Sequence, residues 1–101
     1  MTTTIDQLIE TGICQGKTLS LYYQGNPRRI IPLVYGRLKN GKEAVLCFKI
    51  NGIDEDGPDL SIRLYHLHKI SAPQVNEESL PFSRKIDYYL TKHFRKVYVK
   101  V

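Results

Sequence analysis

The chain has 101 residues and a formal net charge of +5, with 42% hydrophobic and 25% charged residues. That composition describes one folded domain, 1–101, with a modest core, and excludes both a disordered polymer and a two-domain chain. No apolar run approaches the roughly twenty residues that span a bilayer, and the polar start at Met1–Gln7 lacks the pattern of a secretory leader. Cys14 and Cys47 lie far apart, without metal-type spacing, and read as reduced thiols of a cytoplasmic protein that does not engage a membrane.

In chain order, residues 4–15 predict a helix. Thr4 is placed to cap it, Gln7 holds the capping-box position, and Ile5, Leu8, Ile9 and Ile13 form an apolar stripe that ends near Gly16. Leu19, Leu21 and Tyr23 alternate with polar positions and predict a strand over Lys17–Gln24, followed by a turn at Gly25-Asn26-Pro27. Arg28–Gly36 is a second strand. Pro32 inside it lacks a ladder donor, so the strand must be bulged, bent or at an edge there. Asn40-Gly41 predicts a type I′ hairpin into a third strand, Glu43–Ile50. Gly52–Leu60 reads as irregular, and Ser61–Ile70 as a fourth strand with Ile62, Leu64, His66 and His68 on one face. Ser83 caps a predicted short helix to about His93, and alternation at Val97, Val99 and Val101 gives a final strand.

The charge is uneven. Lys17–Lys49 carries seven Lys or Arg against one acid, and Arg84–Lys100 carries six against one. The acids collect at Asp54-Glu55-Asp56, Asp59 and Glu77-Glu78. Basic blocks separated by acidic loops favour a polyanion partner if the blocks share a face.

Between Gly12 and Ile70 the chain resembles the WYL-domain family of bacterial transcription regulators. Gly12-Ile13 and Leu19-x-Leu21-x-Tyr23 match its opening helix and strand. Arg28, Ile30 and Pro32 match its Arg-x-Val-x-Pro element, and Tyr65-His66-Leu67-His68-Lys69-Ile70 its closing strand. The naming triplet falls on Glu43-Ala44-Val45 and is not retained. The resemblance implies a mainly β (α+β) fold, a Sm-like or SH3-like small barrel over about 17–70. An N-terminal helix precedes it, and a short helix and strand follow over about 83–101. It also implies a nucleic-acid or anion-binding barrel face, in a stand-alone module lacking the family's usual winged-helix domain.

His66-x-His68 has a spacing that zinc can use, but a site needs at least a third and usually a fourth ligand; Cys47 or His93 could supply one, nothing in the sequence requires it, and the expectation is no metal. Asp54-Glu55-Asp56-Gly57 resembles the start of a calcium loop, but the closing position holds Tyr65 instead of a glutamate. Cys47 sits in the apolar run Ala44–Phe48, where a core thiol is the ordinary reading. No phosphate loop, nucleophile elbow or zinc helix is present, so the expectation is a non-enzymatic module without a cofactor.

The expected ligand is single-stranded DNA or RNA, or a nucleotide-type anion. Arg28, Arg29, Arg37, Lys39, His66, His68 and Lys69 supply phosphate contacts in this reading. Tyr35 and Tyr65 supply stacking surfaces, and Tyr22 or Tyr35 is expected to be exposed. The alternative is a protein-interaction or self-association domain, accessory to a partner regulator, using the apolar stripe Ile86, Tyr89, Leu90, Phe94 and Val97.

Overall fold

The computed structural model describes residues 4–79 and 92–101. Helix α1 spans Ile5–Gln15. The Thr4 amide donates to Gln7 Oε1 at 3.1 Å, as the capping box predicts, and Gly16 closes the helix in the left-handed conformation. Among the described residues six strands follow: β1 (Leu19–Tyr23), β2 (Asn26–Leu38), β3 (Glu43–Asp54), β4 (Gly57–His66), β5 (Ile70–Val75) and β6 (Phe94–Lys100). All pairings are antiparallel, in the order β4-β3-β2-β1-β5, with β6 also paired to β2.

The long strand β2 organises the sheet. One side pairs with β3 from Ile30 to Arg37. The other side pairs with β1 up to Ile30 and with β6 from Val34 onward. Pro32 falls in the gap between those two neighbours, and the register against β3 shifts between Pro32 and Val34. The missing donor thus sits at a bulge where the strand changes partners.

Cores form on both faces of the sheet. Ile9 and Ile13 of α1 pack with Leu19, Leu21, Ile30, Tyr35, Val45, Cys47, Tyr65 and Ile70. On the opposite face lie Ile31, Leu33, Val34, Leu38, Ala44, Leu46 and Phe94. Gly12 lets α1 approach closely, since a Cβ there would press on Leu19 and Pro32 side-chain carbons 3.1 Å away.

Several expectations are corrected. The first hairpin turns at Gln24-Gly25, both at positive φ, and Asn26 and Pro27 already belong to β2. The Asn40-Gly41 hairpin exists, but only Gly41 has positive φ. The Gly41 amide donates to the Leu38 carbonyl and the Leu38 amide to Lys42, a three-residue loop, not a type I′ turn. Gly52–Leu60 is regular: β3 runs to Asp54 and pairs with Gly57 across a tight turn in which Asp54 Oδ1 accepts from the Asp56 amide. Pro58 is tolerated because β4 is an edge strand.

The predicted strand Ser61–Ile70 ends at His66. A 3₁₀ turn, Leu67–Lys69, then leads into β5, which the sequence reading did not foresee. Proline and alanine disguise β5. A bulge against β1 accommodates Pro73, with Ala72 at φ 48°. The mainly β class holds, but the expected barrel is not closed among the described residues. Strands β4 and β5 stand at opposite ends of the pairing path. The predicted helix from Ser83 and most of the apolar stripe with Ile86 lie outside the described residues.

Candidate functional site

The two arms of the β1–β2 hairpin create an opening lined by two arginines. Because Leu19 and Leu21 point into the core, Ser20 and Tyr22 face outward. Register then sets Arg29 and Gln74 beside Ser20 on either side, and Pro27 beside Tyr22. Together with Arg28, Ile50 and Ala72 they line an open cleft of about 460 Å³. Tyr22 is 46% exposed, the largest aromatic face available in it.

The cleft is braced from behind. The Asn76 amide donates to Ser20 Oγ at 2.9 Å and to Thr18 Oγ1 at 3.2 Å. The Thr18 amide donates to the Glu78 carbonyl at 2.9 Å, and the Glu78 carboxylate forms an ion pair with Arg29. Arg28, opposite the inward-facing Leu21, reaches the other way, its Nη1 donating to the Pro27 carbonyl at 2.9 Å; burial and then Cys47 raise the pKa of the Tyr65 phenol, against the lowering effect of Arg28 and Arg63.

The remaining predicted site residues do not converge here. Tyr35 and Tyr65 are buried, at 3% and 5% exposure, so neither can stack a base. The Tyr35 phenol donates to Glu43 Oε2 at 2.9 Å, and burial with that carboxylate holds its pKa well above the usual value. Of the pair expected at the surface, only Tyr22 is exposed. Lys39 and His66 line a separate opening at the β2–β3 hairpin with Leu38, Asn40, Leu64 and His93. His68 lines a third, with Ile5, Asp6, Lys42, Glu43 and Leu67. Arg37 and Lys69 are exposed.

His66 and His68 are 5.8 Å apart between ring centroids and tilted by 43°, on the end of β4 and the turn after it rather than on one strand face. Burial, then Lys69, His68 and Lys42, push the His66 pKa below the usual imidazole value. Among the described residues, no group of three or more His, Cys, Asp or Glu is placed to hold a metal ion. Cys47 is fully buried and its thiol pKa is raised by desolvation, while Cys14 is exposed. Ser20 and Gln74 escaped the sequence reading. The alternation of β1 was signal enough for Ser20, but Gln74 lies on the strand that proline concealed.

Fold and cleft together define a small, mainly antiparallel β domain with a cationic surface opening. Over 99 residues the chain is 31% identical to the DNA-directed RNA polymerase subunit beta'' of Euglena longa. The alignment covers 97% of this chain, which spans only 11% of that subunit's length. No family model matches, and no solved structure matches. Among the described residues, no helix is long and apolar enough to cross a membrane.

Proposed function

We propose that this domain is a WYL-like module, of Sm-like or SH3-like fold, that binds a phosphate-bearing anion without catalysis. Single-stranded nucleic acid is the favoured ligand and a nucleotide the simpler version of it. The observation that carries the reading is the open cleft onto which Tyr22 and Arg29 project from the same face of the β1–β2 hairpin, with Arg28 also in its lining. An exposed ring offers a stacking platform while guanidinium groups hold phosphates, the division of labour used by single-strand binders. Ser20 and Gln74 add uncharged partners for a base or sugar edge. The bent, bulged β2 supports the barrel-type reading, since such bending is what closure of a small barrel requires. The partial likeness to an RNA polymerase subunit is compatible with nucleic acid nearby.

Fluorescence anisotropy with labelled DNA and RNA dodecamers tests this. Binding at low salt is expected, with a log–log salt slope of about −0.7 for each neutralised phosphate. Arg28→Ala/Arg29→Ala weakens it by about tenfold or more, whereas Arg37→Ala/Lys39→Ala leaves it within about twofold. Absence of binding at low salt, or equal losses in the two double variants, overturns the assignment.

A further inference from the structure

The outer strand of the β3–β4 hairpin carries a different surface. β4 ends the pairing path, so among the described residues no strand pairs with its outer side. Its side chains alternate, with Leu60, Ile62 and Leu64 on one face and Asp59, Ser61 and Arg63 on the other. On β3, Ile50 lies opposite Leu60; the register shift after Ile50 then brings Ile53 opposite Pro58 and back onto the same apolar face. Ile53 is 55% exposed and Ile62 is 40% exposed, so this face is left partly bare. A ten-residue edge strand with an apolar face is a template for pairing unless it is blunted, and only Pro58 at its start and the charges of Asp59 and Arg63 qualify.

We propose that the domain dimerises through this edge, β4 against β4 of a second copy, antiparallel about a two-fold axis at Ser61. Symmetric pairing requires that residues with outward-directed backbone groups meet one another, which leaves few registers. Centred on Asp59 or Arg63, it sets like charges face to face. Centred on Leu60 or Ile62, it leaves both charges without a counter-ion. Centred on Ser61, it sets Asp59 against the partner's Arg63 and Arg63 against the partner's Asp59, while Leu60 faces the partner's Ile62. Charge complementarity therefore selects a single register. The same register joins the two apolar faces into one, because opposite residues of an antiparallel pair share a face. The occupant is thus a second copy of this chain, and the cleft of Tyr22, Arg28 and Arg29 takes no part.

Sedimentation velocity across a concentration series, without nucleic acid, tests the association. Asp59→Arg and Arg63→Asp should each raise the dimer dissociation constant by about tenfold or more, and the double exchange should restore it to within about threefold. Cross-linking tests the register independently of those affinities. At Ser61 the two Cα atoms would stand about 4.5–5.5 Å apart, within disulfide reach. In a Cys14→Ser background, Ser61→Cys should therefore form a covalent dimer on mild oxidation and Asp59→Cys should not, its symmetry mate lying about 13 Å away along the strand. A strict monomer at about 1 mM, where even a weak edge contact would register, overturns the proposal. Single exchanges without effect, or Asp59→Cys cross-linking as readily as Ser61→Cys, overturn it as well.

Discussion

Tyr23 lies almost flat against Tyr65, with ring centroids 4.1 Å apart and an interplanar angle of 21°. The Tyr23 hydroxyl also accepts a hydrogen bond from the His66 amide at 3.2 Å, fastening the end of β4 to β1. The pair is a packing element, and it divides the tyrosines into two classes. Tyr65→Ala should cost about 3 kcal/mol, as aromatic truncation in a core does. Tyr22→Ala should change stability by less than about 0.5 kcal/mol, yet reduce oligonucleotide affinity by the worth of one stacked base, about 1–3 kcal/mol. Urea denaturation and anisotropy on both variants check this. Equal stability losses would show that Tyr22 is also a core residue.

Gly36 and β6 fit only because Gly36 lacks a side chain. A Cβ there would overlap the Lys96 carbonyl oxygen and press on the Phe94 ring and Val97 Cα. All three neighbours belong to a strand whose register against β2 shifts beside Gly36. Gly36→Ala should therefore cost about 2 kcal/mol or more, since an overlap with backbone has no rotamer to relieve it. The expected readout is a lower urea midpoint, with hydrogen exchange accelerated first in Phe94–Lys100. Unchanged protection in β6 would contradict the close approach.

The sequence yields the elements more readily than their partnership. Period two at Leu19-x-Leu21-x-Tyr23 and the capping pair Thr4 and Gln7 are local signals, and local geometry follows them. β5 was hidden because Pro73 and Ala72 remove the usual strand chemistry, which a bulge on an edge strand restores. The site misassignments share one cause. Composition shows that Tyr35, Tyr65 and the basic residues exist, but the pleat of β2 and the bulge after Pro32 decide which ones turn outward. Arg28 and Arg29 ended at one hairpin and Lys39 at the other because a long strand lies between them. No local pattern reports that separation until register is known.

His66 should oppose acid stability rather than drive ligand capture. The folded His66 imidazole has a lowered pKa, owing first to burial and then to Lys69, His68 and Lys42. The unfolded chain therefore binds a proton more readily than the folded one below the ordinary value of 6.5. Stability is full above that pH and is lost as pH falls towards the folded pKa. His66→Gln should flatten this acid limb in urea melts at pH 7.5 and 5.5. It should also leave the pH dependence of oligonucleotide affinity unchanged, because His66 lies at the opening with Lys39, apart from Tyr22. A pH-dependent affinity abolished by His66→Gln would return this imidazole to the binding site.

Glu78 is placed to restrain the cleft. Its carboxylate pairs with the Arg29 guanidinium, and both side chains are a little over one third exposed, at 39% and 38%. Its carbonyl accepts the Thr18 amide, so the backbone stays beside β1 whatever the side chain becomes. A phosphate arriving at Arg29 must compete with that carboxylate and also meets its negative charge. Glu78→Gln removes the charge while keeping size and hydrogen-bonding capacity, and a half-exposed ion pair contributes only about 0–1 kcal/mol to stability. The expected result is a nearly unchanged urea midpoint with oligonucleotide affinity raised by about threefold or more and a steeper salt slope. In an Arg29→Ala background the same substitution should alter affinity much less, because the competition it relieves is gone. If Glu78→Gln tightens binding equally in both backgrounds, the carboxylate acts as general surface charge and Arg29 is not the residue it restrains.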